Sequence, residues 1–242
     1  MAVLTNILAA RRQGRKLLAL LLDPEKADLD RLPFSGGYLP DYVFVGGSTG
    51  SNCDAFVKDL RRRTAIPIVL FPGSVMQFSP SADALLFLSL LSGRNAETLI
   101  GQQVRAARAV QLSGIESIPM GYILIDGGKE TAVQRVTHTQ PIPQTDINQI
   151  IDTAIAAELL GKQLVYLEAG SGAATPVDAD IIRAVRENTH IPLIVGGGIR
   201  STEQMVDAFG AGADMVVIGN HFEAHPEELT DFCQTAQRLR NV

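Results

Sequence analysis

The sequence predicts a single α/β domain over residues 1–242, folded as a (β/α)8 barrel (TIM barrel). Eight short apolar runs recur along the chain, and amphipathic segments separate them. The runs are continuously apolar, which is typical of parallel strands covered on both faces. The length of 242 residues is also close to the ~250 residues usual for such barrels.

Each predicted strand is closed by a residue that favours a turn. The runs end at Asp23, Gly47, Gly73, Gly93, Gly128, Gly172, Gly198 and Asn220. A doubly wound sheet with a dinucleotide site is the alternative. It is disfavoured because Asp23-Pro24-Glu25-Lys26 follows the first run, where a GxGxxG motif would be needed.

Apolar residues at helical spacing predict helices between the strands, most clearly over residues 95–112. The other predicted helices are 146–160, 178–188, 202–209 and 226–239. Residues 74–83 are too few for a full helix and predict an incomplete third βα unit. Residues 127–144 form a long βα connection, which predicts a lid or part of a binding groove.

Composition excludes several classes of protein. The chain has no Trp, 5% aromatic residues and a net charge of −5, which argues against nucleic-acid binding. No apolar run reaches the ~18 residues of a membrane span, and the N-terminus lacks the pattern of a secretory signal. Cys53 and Cys233 have no metal-binding spacing, so we expect thiols, with a disulfide as the less favoured alternative. A cytoplasmic protein is predicted.

Glycines cluster after the last three strands, at Gly170-Ser171-Gly172, Gly196-Gly197-Gly198 and Gly219-Asn220. Converging backbone N–H groups can bind a phosphate there, since a Cβ would obstruct the approach. Phosphate sites recur at this end of such barrels. The simpler interpretation is that the glycines only permit tight turns with positive φ.

Two carboxylates directly follow apolar strands. Asp23 is compatible with a helix N-cap before Pro24 or with a ligand contact. Strand alternation places Tyr166 and Glu168 on one face of the sixth strand. Since an unpaired charge is costly inside a barrel, Glu168 either reaches a ligand at the mouth or neutralises a buried cation.

Taken together, the motifs LLDPEK, FVGGSTG, LFPGS, YLEAGSGA, VGGGIRS and VVIGN resemble the geranylgeranylglyceryl phosphate synthase family, which includes the PcrB-like heptaprenylglyceryl phosphate synthases. The resemblance extends from Leu17 to Asn220. It implies a Mg²⁺-dependent prenyltransferase with a TIM-barrel fold. Such an enzyme joins sn-glycerol 1-phosphate to a polyprenyl diphosphate and releases diphosphate.

The resemblance also implies site residues. Mg²⁺ would be held by Asp23 and Ser48, and Glu168 would be the general base beside Tyr166 as the second catalytic residue. The glycerol phosphate site would comprise Tyr166, Leu167, Glu168, Ala169, Gly170, Ser171, Gly172, Gly197, Gly198, Gly219 and Asn220.

The donor and the assembly state are further expectations. Leu21 stands where the heptaprenyl branch has a lysine, which favours geranylgeranyl diphosphate over a longer donor. The resemblance implies a homo-oligomer, a dimer or hexamer, with transient contact with a membrane surface through the lipid product. A sugar-phosphate enzyme and a non-catalytic phosphate-binding barrel remain alternatives.

Overall fold

The computed structural model describes residues 2–34, 37–47 and 53–239. Eight parallel strands form a closed barrel in chain order, with the eighth strand paired to the first. They are β1 (Leu17–Leu22), β2 (Tyr42–Val45), β3 (Ile68–Leu70), β4 (Ala84–Leu90), β5 (Glu116–Leu124), β6 (Leu164–Glu168), β7 (Leu193–Gly196) and β8 (Met215–Ile218). The predicted fold class is confirmed, and the doubly wound alternative is wrong.

The helices cover the outside of this barrel and one of its ends. They are α1 (Val3–Arg12), α2 (Asp54–Arg63), α3 (Gln102–Ser113), α4 (Ala132–Thr137), α5 (Ile147–Leu159), α6 (Ala179–Asn188), α7 (Thr202–Gly210), α8 (Asn220–Ala224) and α9 (Leu229–Arg238). A π-helical turn, Glu97–Gly101, precedes α3, and a 3₁₀ turn, Pro226–Glu228, precedes α9. All five predicted helical segments are therefore present.

Alternate residues of each strand enter two separate apolar clusters. One cluster fills the barrel interior and includes Phe44, Leu86, Met120 and Tyr166. The other lies between the strands and the surrounding helices. The continuous apolar runs of the sequence are explained by this burial on both faces.

Helix α1 closes the N-terminal end of the barrel. Val3, Ile7 and Ala10 belong to the interior cluster. The Glu116 carboxylate, at the start of β5, accepts hydrogen bonds from the amides of Val3 (2.6 Å) and Leu4 (3.0 Å). It thus satisfies two amides that a helix N-terminus leaves unpaired. Helix α1 was not predicted from the sequence.

The third βα unit is incomplete, as predicted. Residues 71–83, all of them described, form turns and bends without a helix between β3 and β4. The outward face of β4 therefore lacks the cover that a helix would give it. This gap lies beside the C-terminal end of the barrel.

Two further expectations concern the whole chain. Cys53 and Cys233 are both buried and form no disulfide, as predicted. No helix in the described ranges has the length and apolar character needed to cross a membrane.

Candidate active site

A cavity of about 850 Å³ opens at the C-terminal ends of the strands. One part is polar and is lined by the turns after β1, β2, β6, β7 and β8. The other part is apolar and continues over β4 towards α3 and α4. The volume lies in the upper range of small-ligand sites, which are ~300–1,000 Å³.

Glu168 and Tyr166 both face this cavity from β6, as strand alternation predicted. Glu168 is 5% exposed. Its carboxylate accepts hydrogen bonds from the Gly170 amide at 2.7 Å and from the Tyr166 hydroxyl. Burial raises the pKa of the Glu168 carboxyl above its ordinary value, and these two hydrogen bonds oppose the rise. Glu168 is therefore a buried carboxyl group whose orientation is fixed by two hydrogen bonds.

No lysine, arginine or histidine forms an ion pair with Glu168 within the described ranges. Its neighbours are Tyr166 and Tyr122, whose pKa values are raised well above the usual range by burial and by the Glu168 charge. The interpretation of Glu168 as the counter-charge of a buried cation is therefore not supported. A buried carboxylate without a cation favours a functional role.

The glycines after β6 and β7 serve both turn geometry and close contact. Gly170, Gly172, Gly197 and Gly198 have φ values of +98°, +75°, +80° and +74°. At Gly197 a Cβ would also lie 2.5 Å from the Gly170 amide nitrogen and clash with Glu168 Oε1. The turn-geometry interpretation of these glycines is therefore confirmed, and phosphate binding by the turns stays a prediction.

Several amides of these turns have no partner. Within the described part of the chain, no hydrogen bond uses the N–H groups of Ser171, Gly172, Gly197 or Gly198. The Ser171 hydroxyl donates to Asn220 Oδ1 at 2.7 Å, which joins the turn after β6 to the first residue of α8. Unpaired amides beside a helix N-terminus form a site suited to a phosphate.

Asp23 also lines the polar part, at the end of β1, the strand that pairs with β8. Its Oδ1 accepts from the Glu25 amide (3.1 Å), and its Oδ2 pairs with Lys26 Nζ at 2.8 Å. Residues 24–34, all described, contain no helix, so the N-cap interpretation of Asp23 is wrong. A Cβ at Gly47 would lie 2.9 Å from both carboxylate oxygens, so glycine is needed at that position.

Glu223 of α8 completes this charged group. Burial raises the pKa of Glu223, the Lys26 charge lowers it and the Asp23 charge raises it. The hydrogen bond with Asp23 in turn raises the pKa of Lys26. One cation thus lies close to two carboxylates at the cavity wall.

Some predicted site residues are not brought into the cavity. Leu167 and Ala169 pack in the layer between strands and helices, so their side chains cannot contact a ligand in the cavity. Gly170 contributes its amide to Glu168 and does not line the cavity. Ser48 lies outside the described residues, so its predicted role stays a prediction.

The apolar part of the cavity follows from the missing third helix. Leu85 and Phe87 point outward from β4 into the space that a helix would fill, beside Val75 and Phe78 of the preceding connection. Ala106 of α3 and Val133 of α4 form the other walls. The predicted groove or lid at 127–144 is thus a groove wall, built by α4.

The sequence matches the PcrB family over residues 11–236. The chain belongs to the PcrB family. This PcrB-family chain is 47% identical over 226 residues to the geranylgeranylglyceryl phosphate synthase of Zunongwangia profunda, covering 91% of this chain and 97% of the relative. It is 39% identical over 239 residues to the synthase of the same name from Korarchaeum cryptofilum, covering 96% and 97%.

A solved structure gives the same family. The (S)-3-O-geranylgeranylglyceryl phosphate synthase from Thermoplasma acidophilum, crystallised with sn-glycerol-1-phosphate, superposes with a TM-score of 0.89. Its sequence identity is 34%, covering 98% of this chain and 99% of that one. The resemblance predicted from the sequence motifs is confirmed.

Three residues of this PcrB-family site were missed from the sequence. Lys26 and Glu223 flank Asp23; the DPEK motif offered a signal for Lys26 but none for Glu223. Gln77 was also missed: its Oε1 accepts from the Gly73 amide at 2.7 Å and faces the Gly47 amide at 3.5 Å. Gln77 is 2% exposed, and its side-chain oxygen connects Gly47 after β2 to Gly73 after β3.

Proposed function

We propose that this PcrB-family chain is a prenyltransferase that forms an ether bond between sn-glycerol 1-phosphate and geranylgeranyl diphosphate, releasing diphosphate. One observation carries the proposal. A single cavity joins unpaired backbone amides, a buried carboxylate and an apolar groove. Relatives at 47% and 39% identity bear the corresponding name, and a structural relative binds sn-glycerol-1-phosphate.

The glycerol phosphate fits the turns after β6, β7 and β8. A phosphate dianion placed there would accept hydrogen bonds from the unpaired amides of Ser171, Gly172, Gly197 and Gly198. Charge-assisted bonds of this kind contribute ~1.5–3 kcal/mol each. Asn220 is the first residue of α8, and the partial positive charge at that helix N-terminus would favour the phosphate.

Glu168 is the proposed general base. A three-carbon substrate anchored by its phosphate at these turns would bring a hydroxyl near the Glu168 carboxylate. Glu168 takes the hydroxyl proton while the oxygen bonds to C1 of the prenyl group. The bond from C1 to the diphosphate oxygen breaks, and its electron pair leaves with diphosphate. The Tyr166 hydroxyl holds the carboxylate in place by its hydrogen bond.

The diphosphate would lie on the Asp23 side, and the donor set there suits Mg²⁺. This ion is usually held by one or two carboxylates together with substrate phosphates. Asp23 supplies such a carboxylate, and Glu223 is a second one nearby. When bound, Mg²⁺ would neutralise charge on the leaving group. Lys26 would add a cation on the same side.

The apolar groove over β4 would hold the prenyl chain. Leu85, Phe87 and Ala106 line it. Its solvent end is bordered by Met76 and Val136, which are 65% and 49% exposed. This apolar border supports a transient contact with a membrane surface when the lipid product leaves. Two buried thiols support the cytoplasmic location, and assembly as a dimer or hexamer stays a prediction.

A radiolabelled prenyl-transfer assay tests the proposal. Purified protein is given sn-glycerol 1-phosphate and polyprenyl diphosphate donors of several chain lengths, from geranyl to heptaprenyl. We expect transfer with the twenty-carbon donor preferred. Turnover of a sugar phosphate without prenyl transfer would favour the alternative barrel enzyme. Substrate binding without any turnover would favour the non-catalytic alternative.

A further inference from the structure

A second group of ligand-type side chains lies where α8 meets the 3₁₀ turn before α9. His221 and His225 are four residues apart, and their rings lie 5.2 Å apart between centroids. Glu227 and Glu228 follow directly. His225 Nδ1 lies 3.5 Å from Glu227 Oε1, and His221 Nε2 lies 2.8 Å from Glu228 Oε2. Two imidazoles thus face two carboxylates within eight residues.

Three of these groups converge on one point. The ligand atoms of His225, Glu227 and Glu228 all lie within 4.8 Å of one another. Ligands bound tetrahedrally to Zn²⁺ at ~2.0–2.2 Å lie about 3.5 Å apart. Small side-chain rotations would bring the three ligand atoms to that shorter separation. The side chains have room to rotate, because those of His225 and Glu227 are 52% and 68% exposed and that of Glu228 is 43% exposed.

His221 makes this group more than a surface cluster. Its side chain is 10% exposed and packs beside the rings of Phe222 and Phe232, at 5.5 and 5.6 Å. The ring is therefore held in place, and its Nε2 contacts the Glu228 carboxylate. A second side chain that orients a ligand is typical of built metal sites.

We propose that His225, Glu227 and Glu228 bind a divalent transition metal of the zinc type, with His221 orienting Glu228. One imidazole and two carboxylates suit Zn²⁺, Co²⁺ or Ni²⁺ better than Mg²⁺, which prefers oxygen ligands alone. The site is thus distinct in chemistry from the oxygen donors around Asp23. It also stands independently of the proposed prenyl transfer.

The bound ion would connect the end of α8 to the turn before α9. Helix α8 begins at Asn220, which contacts Ser171 at the proposed phosphate site. A metal at its other end would reduce local opening of this short helix. Metal binding is therefore expected to raise the melting temperature of the protein.

The test uses tag-free protein titrated with Zn²⁺ by calorimetry and with Co²⁺ by visible absorption. His190→Ala is the matched control, because His190 also contacts a carboxylate, Glu158 at 3.3 Å, but only one. We expect one equivalent to bind to the wild type and to His190→Ala. His225→Ala should lose that binding and the metal-induced rise in melting temperature. His221→Ala should bind ~10–100-fold more weakly, as for other ligand-orienting residues.

Two results would overturn the proposal. One is equal Zn²⁺ affinity in the wild type and His225→Ala. The other is Mg²⁺ displacing Co²⁺ from the wild type at similar concentration, which would mark simple attraction to surface charge. Glu227→Gln keeps the turn and removes one ligand, so normal binding by this folded variant would also count against the three-residue site.

Discussion

Gly197 and Glu168 are in direct contact at the mouth of the barrel. The turn after β7 lies so close to the Glu168 carboxylate that a Cβ at position 197 would clash with its Oε1. The φ of Gly197 is +80°, which side chains rarely adopt. Glycine at position 197 therefore leaves the room that the buried Glu168 carboxylate occupies.

Gly197 and Gly219 should respond differently to alanine. At Gly219 the φ is −121° and the nearest atom to a Cβ would be Leu21 O at 3.3 Å. Gly219→Ala should fold with a melting temperature near the wild type and bind glycerol phosphate less tightly. Gly197→Ala should lose ~1–3 kcal/mol of stability through backbone strain and collision. Thermal unfolding and calorimetry check both, and equal stability of the two variants would contradict the contact.

Glu168→Gln should lower prenyl-transfer turnover ~10²–10⁴-fold, since the amide cannot accept the proton. The base must be ionised, and its pKa is raised by burial. The acid limb of the wild-type pH–rate profile should therefore lie above that of an ordinary glutamate. Single-turnover rates across pH measure this, and near-normal turnover by the glutamine variant would exclude Glu168 as the base.

The same variant makes a separate prediction about stability. The pKa of Glu168 is higher in the folded protein than in the unfolded chain. As the pH rises from the unfolded pKa through the folded pKa, ionisation of Glu168 therefore lowers the free energy of unfolding. Glutamine does not ionise, so its variant does not show this decrease in the free energy of unfolding. Its side-chain oxygen can still accept the hydrogen bond from the Gly170 amide. The melting temperature of Glu168→Gln should thus match the wild type at acid pH and equal or exceed it at pH ~8. A large drop at pH ~8 would indicate a mainly structural carboxylate.

Local sequence signals predicted most of the fold. Continuous apolar runs predicted all eight strands, and the short segment 74–83 predicted the missing helix. Helix α1 was missed although Val3, Ile7 and Ala10 have helical spacing, because its role as a barrel plug depends on distant Glu116. Of the apolar groove, only the part in residues 127–144 was predicted, for a similar reason. Its walls come from β4, α3 and α4, and no local period encodes their meeting.

Asp23→Asn should abolish magnesium-dependent turnover while leaving the turn intact. Asparagine retains an oxygen for the Glu25 amide but loses the charge that a hard cation and Lys26 require. Glycerol phosphate affinity should be unchanged, because its proposed site lies after β6 to β8. Activity is measured against Mg²⁺ concentration. Wild-type magnesium dependence in the folded variant would exclude Asp23 as the ligand.

Glu116→Gln should destabilise the closed end of the barrel. The change removes the charge and one of the two oxygens that accept from the Val3 and Leu4 amides. Loss of such a cap costs ~0.5–2 kcal/mol. In a protein of this size that lowers the melting temperature by about 2–4 °C per kcal/mol. The control Glu130→Gln removes only an exposed ion pair with Arg135 and should leave the melting temperature unchanged.

Ala106→Phe should shorten the prenyl groove. Ala106 is partly buried on α3 and lines the apolar part of the cavity opposite the outward face of β4. A phenyl ring there would occupy space that a long donor chain needs, while the turns after β6 to β8 are untouched. We therefore expect the KM for the twenty-carbon donor to rise at least tenfold, which corresponds to a loss of about 1.4 kcal/mol in binding. The KM values for a ten-carbon donor and for glycerol phosphate should change little. Ala107→Phe, at an exposed position of the same helix outside the cavity, is the matched control. If the Ala106→Phe and Ala107→Phe variants have the same KM for every donor, the prenyl chain does not lie over β4, and the apolar groove has another occupant.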